Sequence, residues 1–284
     1  GYGTTITAAS LHVIQYTTNL LLLEGTDTVH EYSVPASYTI PDGVSMADTV
    51  FRYASETPEW VAFQRRVGGS WKDVTARTFA DEVAGVAKGL MASGIEFGDR
   101  VAIMAGTRYE WVVLDYAIWT AGGCTVSIYE TSAADQAQWI LEDSATKLFV
   151  VETSEHLTRM KDVTDSAADL RETLSFDGGA IDEFTTRGAS VSDDDLHARR
   201  NQVSASSAAT LIYTSGTTGR PKGVQLTHSN FYAETSATQV ALHDQMTEGK
   251  RTLLFLPMAH VFARAVSFGA FEAKVTVAHT SDTT

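Results

Sequence analysis

The chain has 284 residues, of which 44% are hydrophobic and 20% are charged, values that are ordinary for a globular protein with one sizeable core or two smaller ones. Its formal net charge of −14 argues against nucleic-acid binding, which requires a basic patch, and against electrostatic docking on anionic lipid. No apolar run reaches the roughly 18–20 residues that a membrane-spanning helix needs, and the single cysteine cannot form an internal disulfide, so we expect a cytoplasmic location.

Beyond residue 30, short apolar runs alternate with amphipathic ones. The run at 78–91 carries apolar side chains at spacings of three and four, which predicts a helix with Thr78 as its N-cap and Gly94 just past its end. The segments that follow are predicted as strands at 100–104, 125–129 and 147–151, and as helices at 110–120 and 133–141. Strands that alternate with helices of this length predict an α/β fold with a doubly wound, mostly parallel sheet flanked by helices.

Residues 175–207 interrupt this alternation. The stretch is acidic, with three consecutive aspartates at 193–195 and few large apolar residues, so we interpret it as a solvated connection. A metal site is the alternative, which is disfavoured because no histidine lies at a ligand-like spacing. The α/β pattern then resumes, with strands predicted at 209–213, 251–256 and 274–278 and helices at 229–242 and 261–271.

The most informative segment follows the predicted strand at 209–213 and reads Tyr213-Thr-Ser-Gly-Thr-Thr-Gly-Arg-Pro-Lys-Gly. Glycines allow the backbone to approach a ligand closely, successive backbone N–H groups can form an anion-binding concavity, and Lys222 adds a positive charge. The segment is not a Walker A sequence, because Gly219 is three residues before Lys222 and Gly223 replaces the metal-binding hydroxyl. A flexible polar turn is the alternative for a loop of this composition taken alone.

With its continuation at 224–230, this segment resembles the signature of the adenylate-forming superfamily, which includes the acyl-CoA synthetases. A second segment, residues 253–264, is similar to the Pro-Leu-Ala-His-Val-Phe-Glu-Arg segment of long-chain fatty acyl-CoA synthetases, with Ala263 in place of the family's acidic residue. Segments at 98–103, 108–111 and 129–132 match the same subgroup. The resemblance extends over residues 29–282, nearly the whole chain.

The resemblance implies that residues 29–284 form part of the large amino-terminal AMP-binding domain, with residues 1–28 as an extension outside it. Three later family segments are not found: Tyr-Gly-x-Thr-Glu, Tyr-x-Thr-Gly-Asp, and the carboxy-terminal Gly-Lys segment that carries the family's catalytic lysine. The chain therefore looks like a fragment without the family's carboxy-terminal cap domain, and we expect it to be inactive alone.

The family reaction has two halves. A long-chain fatty acid reacts with ATP to give acyl-AMP and pyrophosphate, and coenzyme A then displaces AMP to give acyl-CoA. The partners implied by the resemblance are thus the fatty acid, ATP and coenzyme A. Mg²⁺ is implied to bind the phosphates, and peripheral contact with a membrane is compatible with the resemblance. Two alternatives stay open: a fatty acyl-AMP ligase or other carboxylate-activating enzyme, and a non-catalytic nucleotide-binding fragment.

The resemblance also implies which residues act. His260 is the catalytic candidate, because the family places this histidine near the acyl substrate and the α-phosphate. Thr214 is the implied protein ligand of Mg²⁺, together with a glutamate from a family segment not found here. The positions implied to contact ATP are Thr214, Ser215, Gly216, Thr217, Thr218, Gly219 and Lys222.

Both motifs follow predicted strands. Ligands of open α/β sheets bind beyond the carboxyl ends of the strands, so we expect the 214–222 loop and the 257–260 loop at one edge of one sheet, where they enclose a common cleft.

Other residues keep two interpretations. Arg264 either pairs with an acid or is solvated, and His228 either has a structural role at a helix end or contacts the ligand. Cys124 is predicted to be a buried, inert thiol. Four apolar residues of the second motif either line an acyl channel or, for most of them, pack in the core: Phe255, Met258, Val261 and Phe262.

Overall fold

A computed structural model of the chain describes residues 36, 38–214 and 220–282, so the predicted extension at 1–28 lies outside the described residues. The strands are β1 (Val61–Val67), β2 (Ser70–Thr75), β3 (Arg100–Met104), β4 (Cys124–Ile128), β5 (Leu148–Val151), β6 (Glu172–Ser175), β7 (Ala208–Thr214), β8 (Lys222–Thr227), β9 (Arg251–Leu254) and β10 (Thr276–His279). The helices are α1 (Asp48–Glu56), α2 (Ala76–Ala92), α3 (Tyr109–Thr120), α4 (Ala134–Asp143), α5 (Ser154–Ser166), α6 (Ala180–Gly188), α7 (Asp193–Arg200), α8 (His228–Ala241) and α9 (Val261–Glu272).

The strands form two sheets. One has the order β6-β5-β3-β4-β7-β8, in which every neighbouring pair is parallel except the β7–β8 hairpin. The other has the order β2-β1-β10-β9, with β1–β2 as its antiparallel pair. All residues of β4 and β5 are buried, as expected of parallel strands covered on both faces. The predicted mostly parallel α/β class is therefore confirmed.

The prediction that strands of one and the same sheet lead into both motifs was wrong. Strand β9, which precedes the second motif, belongs to the four-stranded sheet, whereas β7 belongs to the six-stranded one. The reason is that an apolar run identifies a strand but not its partner. β10 pairs with β1, far upstream in the chain, and β9 pairs with β10.

Helix α3 packs between the two sheets. All of its residues except Glu110 are buried, and it contacts both β1 and β4. A helix that is apolar all round has to be covered on every side. Its rings Tyr116 and Trp119 meet Phe268 of α9 at centroid separations of 5.6 and 4.9 Å, so one aromatic core joins the sheets.

The ends of α2 show how local capping sets an element's bounds. Thr75, not the predicted Thr78, is the N-cap, because its hydroxyl accepts a hydrogen bond from the Thr78 backbone N–H at 3.2 Å. Gly94 lies just past the end of the helix with φ of +82°, as predicted.

The acidic stretch 175–207 contains two helices that the composition did not indicate. The three aspartates form the first turn of α7, where carboxylates are favourable, and Ser192 caps that helix. Phe184 of α6 and Leu196 of α7 are buried, so the stretch packs against the domain with an exposed acidic face.

Candidate functional site

The described ends of the 214–222 loop face each other across the β7–β8 hairpin. Thr214 and Lys222 are cross-strand partners in the β-sheet register, and both are exposed. The loop between them therefore starts and ends at one point, the carboxyl end of β7. Five of the predicted contact positions, Ser215, Gly216, Thr217, Thr218 and Gly219, lie outside the described residues.

One register step below that pair, Tyr213 lies opposite Gly223. A Cβ atom at Gly223 would lie 3.0 Å from the Tyr213 ring, so the ring occupies the space that any larger residue would need. The Tyr213 hydroxyl donates a hydrogen bond to Asp143 Oδ2 on α4 at 2.7 Å. Partial burial and this carboxylate raise the pKa of Tyr213, which keeps the hydroxyl protonated as a donor.

The residues before Lys222 contact the same helix. Trp139 Nε1 donates to the backbone carbonyl oxygen of Pro221 at 2.9 Å. The Arg220 guanidinium lies over the Trp139 ring, 4.6 Å from its centroid, in a cation–π arrangement.

His260 ends the 257–260 loop and is the N-cap of α9. Its Nδ1 accepts a hydrogen bond from the Phe262 backbone N–H at 3.1 Å. Because Nδ1 is an acceptor, the neutral imidazole carries its proton on Nε2. The side chain is exposed, so Nε2–H is an outward-facing donor held by the start of a helix.

Two hydrogen bonds attach the His260 loop to the carboxyl edge of the six-stranded sheet. Ser127 Oγ, on β4, donates to the Ala259 carbonyl oxygen at 3.1 Å, and Thr107 Oγ1, just after β3, donates to the Leu256 carbonyl oxygen at 2.6 Å. Ser127 pairs in register with Ile212, two residues before Thr214. The two motifs are therefore brought to one edge by packing between sheets rather than by strand order.

A buried ion pair lies beneath the site. Arg264 contacts both carboxylate oxygens of Asp115, with Nε–Oδ2 at 3.1 Å and Nη2–Oδ1 at 2.8 Å, and neither side chain is exposed. Arg264 Nη1 donates to Thr210 Oγ1 at 2.6 Å, and Thr125 Oγ1 donates to Asp115 Oδ1 at 2.6 Å. Burial raises the pKa of Asp115, and Arg264 and Thr125 oppose that rise.

This ion pair decides between the two interpretations of Arg264: it pairs with an acid. Sequence reasoning missed Asp115, although a signal was present. Asp115 is the one acid in the otherwise apolar core of the 110–120 helix, and a charge in such a position needs a partner. The identity of that partner, 149 positions further on, could not be inferred from spacing.

Two further side chains have structural roles. His228 is buried at the start of α8, where its Nδ1 accepts a hydrogen bond from the Met46 backbone N–H at 3.2 Å. Burial, with the nearby charge of Arg264, lowers the pKa of His228 to about 4. Cys124 is buried, as predicted, and burial raises its pKa to about 12, which disfavours the reactive thiolate.

The apolar residues of the second motif separate into two groups. Met258 is fully buried and Val261 is partly buried against the core, so core packing is correct for these two residues. Phe255 and Phe262 are 52% and 59% exposed, so core packing is wrong for these two rings. They lie on either side of the 257–260 loop and give it an apolar border.

Within residues 36, 38–214 and 220–282, no group of three or more His, Cys, Asp or Glu side chains could hold a metal ion. In the same part of the chain, every helix is too short or too polar to cross a membrane.

The chain is similar to known enzymes over most of its length. A family model described as AMP-binding enzyme matches residues 50–283. The long-chain-fatty-acid–CoA ligases FadD15 of Mycobacterium tuberculosis and Mycobacterium bovis are each 44% identical to the chain over 257 residues, which is 89% of this chain and 43% of the relative. The chain thus spans less than half the length of these curated relatives.

Among solved structures, a long-chain-fatty-acid–CoA ligase, FadD1, from Archaeoglobus fulgidus aligns with a TM-score of 0.73 at 21% identity, over 88% of this chain and 49% of that one. VinN aligns with a TM-score of 0.71 at 18% identity, over 84% of this chain and 57% of that one. At these identities the likeness concerns the fold alone. The family match covers most of the chain, and the chain therefore belongs to the AMP-binding enzyme family.

Proposed function

We propose that the chain is part of a long-chain fatty acid–CoA ligase and contributes its phosphate-binding loop and a catalytic histidine. The observation that carries the proposal is the pairing of Thr214 with Lys222 at the same sheet edge to which Ser127 attaches the His260 loop. The identity to the FadD15 ligases supports the choice of a fatty acid as substrate and coenzyme A as acceptor.

In this proposal the 214–222 loop binds the β- and γ-phosphates of ATP. Lys222 supplies a positive charge, and the Thr214 hydroxyl supplies a hydrogen-bond donor next to it. The remaining proposed contacts are Ser215, Gly216, Thr217, Thr218 and Gly219. Charge neutralisation here favours departure of pyrophosphate when the fatty acid carboxylate attacks the α-phosphorus.

The proposed metal is Mg²⁺, which prefers oxygen ligands and commonly binds through substrate phosphates, one or two protein groups and water. Thr214 fits this pattern as a single hydroxyl ligand. The other protein ligand in this proposal is the glutamate of the family segment not found here, and phosphate oxygens and water would supply the rest of the coordination. Bound there, the ion would neutralise phosphate charge.

His260 is proposed to donate from Nε2 to an oxygen on the α-phosphate, where negative charge develops. The hydrogen bond between Nδ1 and the Phe262 N–H supports this role, because it fixes the tautomer and the direction of the donor before substrate binds. The exposed rings Phe255 and Phe262 are proposed to contact the acyl chain. The proposed location is the cytoplasm, in keeping with the free thiol of Cys124.

The test is fatty-acid-dependent exchange of pyrophosphate into ATP by the full-length gene product. Lys222→Ala should lower the exchange rate by about 10²-fold or more, because it removes the positive charge that neutralises the departing pyrophosphate. Lys161→Ala is the matched control, because Lys161 is an exposed lysine whose partner is Asp165 on the same helix. Unchanged exchange in Lys222→Ala overturns the proposal.

The products distinguish the alternatives. Formation of acyl-AMP without acyl-CoA when coenzyme A is supplied indicates an acyl-AMP ligase. Binding of ATP with no exchange for any fatty acid indicates a non-catalytic nucleotide-binding protein.

A further inference from the structure

One face of α4 contacts β7 and the residue that precedes β8. Asp143 accepts the hydrogen bond from Tyr213 on β7, and Trp139 donates to the Pro221 carbonyl oxygen just before β8. Trp139 and Asp143 are four residues apart, so they lie on the same face of the helix. One helix therefore contacts the chain immediately before Thr214 and immediately before Lys222.

These contacts restrain an end of the hairpin that is otherwise exposed. β8 is the edge strand of its sheet, and the residues from Lys222 to Gln225 are exposed, so packing on the core does little to fix the hairpin end. The groups that restrain it laterally are the Tyr213 ring, which would lie only 3.0 Å from a Cβ atom at Gly223, and the indole of Trp139.

We propose that Trp139 and Asp143 are positioning residues for Thr214 and Lys222. Neither would touch ATP. They would act by holding the two limbs of the hairpin at the spacing and direction that phosphate binding requires. This inference rests on the proposed function of the 214–222 loop and extends the site to a helix that the family motifs leave out.

The two contacts act on residues next to the proposed phosphate ligands. Tyr213 and Thr214 are adjacent in the chain, as are Pro221 and Lys222, so a shift at either contact moves a proposed phosphate ligand directly. Groups that bind a substrate lose effect steeply when they are displaced by even about 1 Å. Binding of the β- and γ-phosphates would therefore weaken, whereas binding of the adenosine and the α-phosphate would not.

The experiment compares two ligands, MgATP and AMP, by calorimetric titration of the full-length gene product. Trp139→Ala and Asp143→Ala should each weaken MgATP binding roughly threefold to tenfold, the range expected for one lost hydrogen bond. AMP lacks the β- and γ-phosphates, so its affinity should stay within about twofold of wild type. A residue with only a structural role would lower the melting temperature and leave the MgATP-to-AMP affinity ratio unchanged.

Conservative variants sharpen the test. Asp143→Asn retains an acceptor for the Tyr213 hydroxyl and should recover most of the affinity lost in Asp143→Ala. Trp139→Phe keeps a ring beneath Arg220 but loses the N–H donor, so it should weaken MgATP binding. Gln136→Ala, on an exposed position of α4, is the control and should bind both ligands as wild type does.

Lys222→Ala separates the two proposals. If it leaves MgATP affinity unchanged, the proposed function of the loop fails. If it weakens MgATP while Trp139→Ala and Asp143→Ala keep the wild-type affinity ratio, the positioning inference alone is overturned. Should either alanine variant fail to fold, Trp139→Phe and the Asp143→Asn comparison with Tyr213→Phe decide the question by the same ratio.

Discussion

Arg264 and Asp115 form a bidentate ion pair in which neither side chain is exposed to solvent. Arg264 lies one turn into α9, the helix that His260 caps, and Asp115 lies in α3, the helix between the two sheets. The remaining guanidinium nitrogen contacts Thr210 of β7, the strand that ends at Thr214. One side chain thus touches elements that lead to both halves of the proposed site.

Arg264→Ala should lower the free energy of unfolding by about 3–5 kcal/mol, because it leaves the Asp115 carboxylate buried without its partner. Urea denaturation of the purified protein measures this change. Arg187→Ala is the matched control, since Arg187 also makes a bidentate contact, to Glu172, but at a partly exposed site. That variant should lose at most about 1 kcal/mol.

A loss of less than about 1 kcal/mol in Arg264→Ala contradicts the account of a buried pair that must remain intact. Arg264→Ala combined with Asp115→Ala should be less destabilised than the sum of the two single variants. The double variant no longer contains an unpaired charge.

Local signals in the sequence predicted much of the fold. The strand predicted at 100–104 is β3 itself, and Gly94 marks the end of α2 as expected. β8 was not predicted, although Val224 and Leu226 alternate with polar residues, because the segment was interpreted as the continuation of the loop motif. Pairing between strands also could not be predicted, since β1 and β10 are separated by most of the chain and no local pattern specifies the match.

At the candidate site, too, local motifs could be predicted from the sequence and long-range contacts could not. The motif gave the positions of Thr214, Lys222 and His260, which the resemblance assigned to ATP and the acyl substrate. It gave no sign that Trp139 and Asp143 contact the hairpin, because those contacts join positions 82 and 70 residues apart. They depend on how α4 packs against the sheet, which only the folded chain determines.

The close approach of the Tyr213 ring, and not a positive φ angle, favours glycine at position 223. Gly223→Ala places a methyl group about 3.0 Å from that ring, so it should cost about 1–3 kcal/mol of stability through overpacking. Gly43→Ala is the control, because no atom lies within 4 Å of the added methyl group at that exposed glycine. Thermal denaturation measures both variants.

Removal of the ring tests the cause. In a Tyr213→Ala background, Gly223→Ala should cost little further stability, because the methyl group then meets no ring. Equal costs of Gly223→Ala with and without Tyr213 mean that the steric account is incorrect.

Two buried histidines should make the protein less stable in mild acid. Burial lowers the pKa of His228 to about 4 and that of His279 to about 3. In the unfolded chain both groups would take up protons below about pH 6.5, whereas the folded protein would not. Stability is therefore retained above pH 6.5 and falls as the pH drops from about 6.5 towards 4, by about 1.4 kcal/mol per pH unit for each histidine.

Denaturation at several pH values between 7.5 and 4.5 measures this slope, and two variants isolate its origin. His228→Asn keeps an acceptor for the Met46 N–H, and His279→Gln keeps a polar partner for Ser267. Each variant should have a shallower slope than wild type. Buried carboxyl groups such as Asp115 titrate in all three proteins and cancel in the comparison, so equal slopes mean that neither histidine is responsible.

His260 has two separable roles, and two substitutions divide them. His260→Asn retains an N-cap acceptor for the Phe262 N–H but has no donor at the position of Nε2. His260→Ala loses both. The free energy of unfolding should be close to wild type for Asn and lower by about 1 kcal/mol for Ala, the usual cost of a lost cap.

The rate of pyrophosphate exchange should depend on the Nε2–H donor of His260 and not on its role as the N-cap of α9. Both variants of the full-length gene product should lose about 10²–10³-fold in the rate of fatty-acid-dependent pyrophosphate exchange, the usual effect of removing one donor to a developing negative charge. The affinity for ATP should change little, because the proposed phosphate ligands are at the 214–222 loop. If His260→Asn exchanges at the wild-type rate, the histidine only caps α9, and the proton on Nε2 has no part in adenylation.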